Sequence, residues 1–195
     1  MLLQRLTCFA GALALAGCAA LNTVVTDVST HGQWPAQRAP GSYQFERLPS
    51  QQAQPEQQAA LETAARGALD KAGFKLAPDG ARPDVTVQLG ARVTRNPRSP
   101  WDDPYWGGGW GWGPRGWRGA GFFPPYMDSS PSYEREVALL IRDRASGAPL
   151  YEARAVSDGN GTGDVALLAA MYDAALQDFP TPALNPRRVR VPLAP

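Results

Sequence analysis

Side chains able to serve as nucleophile, base or metal ligand are scarce in this chain. Two cysteines, Cys8 and Cys18, and one histidine, His31, are spread along 195 residues. Catalytic triads and most zinc sites need a histidine or a thiol held within a folded site. His31 stands next to Gly32 near the amino-terminal end, where a solvated linker histidine is expected. Glycoside hydrolysis needs two carboxyl groups at a fixed separation, and Asp102-Asp103 is the obvious pair. In a glycine-rich segment that pair lacks rigid positioning and reads as solvated loop. The run Asp158-Gly159-Asn160-Gly161-Thr162-Gly163-Asp164 has the composition of a calcium loop. It lacks the EF-hand spacing and terminal glutamate, and it occurs once. Gly107-Gly108-Gly109 is followed by no Gly-Lys-Ser/Thr and no helix, so it makes no phosphate loop. The expectation is no catalytic residue, no metal site and no cofactor.

Cys18 is different, because its surroundings specify chemistry. Arg5 gives a short positive start, and Leu6 to Leu15 give an apolar run. Ala16-Gly17 then supply the small residues of a cleavage position. The run is too short to span a bilayer as a helix. Leu15-Ala16-Gly17-Cys18 resembles the lipobox of bacterial lipoproteins, whose cysteine becomes the acylated first residue after cleavage. Residues 1–17 are therefore expected to be a signal peptide and Cys18 a lipidation site. The membrane is then a partner through the lipid anchor. Ala19, rather than aspartate, follows the cysteine, which points to the periplasmic face of the outer membrane.

Bulk properties agree. Cleavage removes Cys8 and leaves no second thiol for a disulfide, so stability must come from a packed core. The chain carries 19 Lys+Arg against 18 Asp+Glu, and loss of Arg5 brings them level. A level balance offers no counterion-release drive toward nucleic acid, which is excluded as a partner.

Periodicity then supplies the elements. Residues 18–40 read as a lipidated tether with one β-like run, Val24 to Val28. Residues 41–195 read as a single domain. Gly41 to Leu48 alternates as a half-buried strand, with Tyr43 and Phe45 on one face. Pro55 to Ala72 has an apolar stripe at helical spacing and Gly73 as its stop. A short strand from Phe74 to Ala77 follows. Val85, Val87, Leu89, Ala91 and Val93 share one face of another strand. Tyr133 to Asp143 and Leu150 to Val156 read as a hairpin around Ser146-Gly147-Ala148-Pro149. A second helix is expected from Gly163 to Phe179, capped by Thr162 and buried through Val165, Leu168, Tyr172, Leu176 and Phe179. Arg187 to Leu193 reads as an edge strand. The predicted class is α+β: a mainly antiparallel sheet with two helices packed on one face.

Residues 95–131 break the pattern. Five of the six tryptophans, Trp101, Trp106, Trp110, Trp112 and Trp117, fall there, among Gly107-Gly108-Gly109 and Pro124-Pro125. A long Gly/Trp-rich loop insert is expected. Three readings stay open: a low-complexity spacer, a contact loop for an envelope protein or glycan, and a membrane-surface contact.

Several segments together resemble a known family. They are Gly41-Ser42-Tyr43-Gln44-Phe45-Glu46-Arg47-Leu48-Pro49, Leu69-Asp70-Lys71-Ala72-Gly73-Phe74, Pro83-Asp84-Val85-Thr86-Val87, the strand Val137 to Asp143, and Asp178-Phe179-Pro180. In that order, behind a lipobox, they are similar to the domain-of-unknown-function 4136 (DUF4136) lipoproteins of proteobacteria, over roughly residues 21 to 182. Where that family often carries tryptophan in the hairpin's return strand, this chain has Tyr151. The resemblance implies an envelope location and an α+β domain, and no established activity. By looser fold analogy such domains are similar to auxiliary lipoproteins of outer-membrane assembly and transport systems. The functional expectation is a non-enzymatic structural, assembly or binding role. The alternative is an envelope hydrolase acting on glycan or lipid through a carboxylate site, which convergent Asp, Glu or Ser in a large pocket would reveal.

Overall fold

The structure, a computed structural model, describes residues 23–96 and 131–193. The elements in chain order are β1 (Thr23–Gly32), β2 (Ser42–Phe45), α1 (Pro49–Gln52), α2 (Pro55–Lys71), β3 (Lys75–Leu76) and β4 (Val85–Asn96). They continue with β5 (Ser132–Asp143), β6 (Pro149–Gly159), α3 (Val165–Leu176) and β7 (Arg187–Pro192). The seven strands form one sheet in the order β3-β2-β4-β5-β6-β1-β7. From β4 to β7 every pairing is antiparallel. Only β2 runs parallel to its neighbours β3 and β4. Parallel neighbours need a long crossover, and α2 supplies it between β2 and β3. The class is mixed α/β with a mostly antiparallel sheet and three helices.

Local chemistry explains the boundaries. Pro55 occupies the first turn of α2, where its missing N–H costs nothing. At the other end Gly73 takes φ +92°, its N–H donating to Asp70 O at 3.0 Å, while Phe74 N–H donates to Leu69 O at 3.0 Å. These two bonds close the helix as a Schellman motif, with Leu69 and Phe74 both buried beside it. The β5–β6 turn is tied by Asp143, whose Oδ1 accepts from the N–H groups of Ala145 and Ser146. Gly147 there adopts φ +72°, a left-handed conformation natural to glycine. In α3 the cap is Asp164, accepting from Leu167 N–H at 2.8 Å, and not the expected Thr162. The Asp164 carboxylate both bonds the free N–H and complements the helix dipole.

One cluster of buried side chains joins α2, α3 and the sheet, with Val28, Leu69, Val87, Leu139, Ile141 and Met171 among its members. Helices α2 and α3 also pack against each other. Of the residues expected to be buried together, Leu168 and Phe179 are only partly covered. Val165 and Val93 are 46% and 45% exposed, and Ala91 is exposed too. The stripe of α3 lies elsewhere, on Ala170, Met171, Ala174 and Ala175 with Tyr172 and Leu176. The small alanines let α3 approach its neighbours closely, so burial follows contact area more than side-chain size.

The amino-terminal expectation also changes. Val24 to Val28 is part of a ten-residue strand, β1, seated between β6 and β7. The possible first strand of the 18–40 segment is thus β1, a full member of the sheet. The short helix α1 was not foreseen; Gln51 builds it, accepting from Leu48 N–H through Oε1 and donating through Nε2 to Leu89 O. No described helix is long and apolar enough to cross a membrane.

Candidate functional site

A groove of about 610 Å³ opens where the carboxy-terminal ends of α2, α3 and β7 converge. Ala68, Ala72, Leu176, Phe179, Val191 and Leu193 give it apolar walls. Its rim carries the Lys71–Asp173 ion pair, at 2.7 Å, and one side of it is the β7 chain from Arg190 to Pro192. The volume suits a small ligand or a few side chains of a larger one. Among the described residues Asp173 is the one lining carboxylate, and no serine, threonine, cysteine or histidine joins it. With Asp173 tied to Lys71, the lining offers binding contacts and no convergent acid–base pair.

Beside the groove lies an aromatic cluster that organises this end of the molecule. Phe179 touches Trp34 at 4.8 Å, Phe74 at 5.0 Å and Tyr151 at 5.3 Å between ring centroids. Trp34 meets Phe74 edge-on at 5.5 Å. Such edge-to-face packing contributes beyond area burial. Tyr151, standing where the family often has tryptophan, is fully buried. Trp34 also donates from Nε1 to Arg38 O at 2.7 Å, while the Arg38 guanidinium lies 5.5 Å from the ring centroid.

Arg38 extends this cluster into a polar clamp. It donates to Asp143 Oδ2 at 2.7 Å and to Asp84 O at 3.1 Å. Asp84 in turn accepts from the backbone N–H and hydroxyl of Ser42 at 2.7 Å each. Hydrogen bonds from the Ser42 hydroxyl and N–H hold the Asp84 carboxyl below its ordinary range. The Ser146 backbone and hydroxyl, and then Arg38, hold Asp143 further below it. Carboxylates so strongly ionised are poor general acids near neutrality. The clamp fastens the starts of β2 and β4 to the β5–β6 turn.

The sequence-selected residues fall apart spatially. His31 is exposed on β1, opposite Glu152 of β6. Asp158 lies at the end of β6, and Asp164 is occupied in capping α3. Among the described residues no group of three His, Cys, Asp or Glu could hold a metal ion. Cys18, Asp102, Asp103, Gly107 and the tryptophans 101, 106, 110, 112 and 117 lie outside the described residues. Sequence reasoning passed over Trp34, because isolation in a polar stretch gave it no periodic signal. It also passed over the groove, whose walls come from three distant segments.

The fold has relatives among solved structures. A PDZ domain protein from Parabacteroides distasonis shares 13% identity with a TM-score of 0.51, over 90% of this chain. The chain spans 42% of that protein's length. At that identity the likeness concerns the fold alone. The PelC dodecamer from Paraburkholderia phytofirmans, in two crystal forms, matches at 13% and 12% identity with TM-scores of 0.40. Those matches cover 77% of this chain and 94% of the other. A search of curated proteins finds no match. The profile of a domain of unknown function, DUF4136, matches residues 24–181, from the first buried valine of β1 to just past the Phe179 cluster. The chain belongs to the DUF4136 family.

Proposed function

We propose that this protein is a lipoprotein of the cell envelope, cleaved before Cys18 and anchored by its lipid at the periplasmic face of the outer membrane. Its role is structural, assembly or binding, and not catalytic. The observation that carries the reading is Leu15-Ala16-Gly17-Cys18 behind an apolar run, set only five positions before β1 begins at Thr23. Five residues span at most about 17 Å, so the lipid would hold the domain close against the bilayer. Acyl chains contribute about 0.8 kcal/mol per buried CH₂, and several chains retain a soluble domain at a membrane. In this reading α2 and α3 form one layer over a single face of the sheet. The Gly/Trp-rich insert leaves from the far end of the β4–β5 hairpin. A binding role is supported by the groove's apolar walls and by the charged Lys71–Asp173 pair on its rim.

The test is metabolic labelling with palmitate in cells producing the full chain or its Cys18→Ala variant. The full chain should be labelled, shortened and membrane-associated. Cys18→Ala should persist as an unlabelled precursor. A mature, soluble product from Cys18→Ala would overturn the reading. Co-sedimentation of the full chain with inner-membrane markers would overturn the sorting assignment alone.

A further inference from the structure

The sheet ends on one side at β3, two residues long, and on the other at β7, six residues long. Among the described residues β7 pairs only with β1, so its outer edge presents unpaired backbone donors and acceptors. A free edge of this length is a template for another strand. Its side chains decide which strand it can accept. Arg187-Arg188-Val189-Arg190-Val191-Pro192 holds three arginines and no carboxylate. Arg187 is paired with Asp178 and Arg188 with Asp27, whereas Arg190 is exposed and makes no ion pair with a described residue. A second β7 laid alongside would bring arginine against arginine. Like charges directly opposite on paired strands are destabilising, so the edge disfavours its own copy.

The groove runs along this same edge. In the β1–β7 register Val191 sits opposite buried Val24, and Arg190 opposite exposed Val25. Val191 therefore faces the helices and the groove, while Arg190 faces the open side of the sheet. Side chains of an added strand alternate with the same period. Every second one would drop toward Leu176, Phe179 and Val191, and the others would stand beside Arg188 and Arg190.

We propose that β7 binds an extended segment of a partner protein as an eighth strand, one that alternates apolar and acidic residues. The apolar side chains enter the groove, and the carboxylates stand on the open face beside Arg190, which has no ion partner among the described residues, and Arg188, which Asp27 already holds. This inference does not depend on lipidation, because it concerns only β7 and the groove beside it.

The test uses the purified full-length chain and two end-blocked, fluorescent probe peptides, one of four Asp-Val repeats and one of four Lys-Val repeats. The Asp-Val peptide should bind at least ten-fold more tightly by anisotropy. Arg190→Glu, a change at an exposed position, should abolish or reverse that preference without altering the melting curve. Carbonyl ¹³C labels in the bound Asp-Val peptide should show the infrared band of a β-strand. Equal affinity for the two peptides, or binding without the strand band, would overturn the proposal. So would a change of sedimentation with Arg190→Glu, which would assign the edge to a second copy. Displacement of the peptide by palmitate would assign the groove to an acyl chain instead.

Discussion

Three tyrosines, Tyr43, Tyr151 and Tyr172, are fully buried, and their hydroxyls fare differently. Tyr172 donates to Gly90 O at 3.1 Å and Tyr151 to Ala175 O at 3.4 Å, while the Tyr43 hydroxyl has no hydrogen-bond partner among the described residues. Burial pushes the phenols of Tyr43 and Tyr151 up to about 12. An unpaired buried hydroxyl costs about 1–3 kcal/mol, and a made bond contributes about 1 kcal/mol. Tyr43→Phe should therefore raise stability by about 1 kcal/mol, whereas Tyr172→Phe should lower it by a similar amount. Urea midpoints of the two variants settle the comparison, and a destabilised Tyr43→Phe would mean that its hydroxyl is satisfied after all. Asp143 gives a pH-dependent counterpart. Its carboxyl is held low by Ser146 and Arg38, so the unfolded chain binds the proton more readily. The stabilisation is full above the ordinary carboxylate range, near pH 4, and is lost as pH falls through the depressed folded value. Asp143→Asn should be less stable than the parent at pH 7, with the gap narrowing progressively below pH 4. A gap independent of pH would show that the charge is not what matters.

At the scale of elements, the passage from β6 into α3 depends on a buried arginine. Arg135 of β5 is 7% exposed, makes no ion pair among the described residues, and donates from Nε to Ser157 O at 3.3 Å. Burial lowers its affinity for the proton, opposed only by the charge of Asp158. Its side chain passes beneath the glycine-rich turn. A Cβ on Gly159 would stand 2.1 Å from the Arg135 guanidinium, and one on Gly163 would meet Leu167 at 2.6 Å. Gly163 also takes φ +86°. Two of the three glycines that gave this turn a calcium-loop composition, Gly159 and Gly163, are thus accounted for by close packing over Arg135 and Leu167, while a Cβ on Gly161 would meet nothing. Gly159→Ala should cost about 1–3 kcal/mol, the range for forcing extra atoms into a packed site. In an Arg135→Met background the same change should cost appreciably less. Additive costs in that double-mutant cycle would sever the two residues.

For the whole molecule, the decisive feature is the continuity of β4 and β5. Their register runs without a break from Val85 opposite Asp143 to Asn96 opposite Ser132, the last described residue before the insert and the second after it. Loop-closure cost grows by about 0.6 kcal/mol per doubling of length, so a short linker would recover about 2 kcal/mol. Replacing residues 97–130 with a four-residue Gly-Ser linker should preserve or raise the melting temperature. A collapse in stability would make the tryptophans part of the fold. The five tryptophans then remain candidates for contact with a membrane, a glycan or a protein. A blue shift of tryptophan fluorescence on adding anionic vesicles, or on adding peptidoglycan fragments, would identify the surface. Silence with both, and an unchanged cell phenotype for the linker variant, would favour a low-complexity spacer.

Period-two alternation was enough to reveal β4, β5 and β6, and the Pro55 and Gly73 signals bounded α2 to within a residue. These features are local, since a chain facing a core on one side must alternate or recur at the matching period. The family, too, could be read from the order of such segments. Alternation could not say where the core stops. Val93 and Ala91 continue the pattern of Val85 to Leu89 yet are exposed, because cover depends on how far other elements reach along the strand. Nor could it place β1, whose valines became structural only once β6 and β7 enclosed them. The same holds for Trp34 in the aromatic cluster and for the groove. Each is made by residues far apart in the chain, and no short window of sequence contains both sides of such a contact. Tertiary packing alone brings them together, whereas the lipobox at Cys18, like any signal read from an extended peptide, needs no fold to be legible.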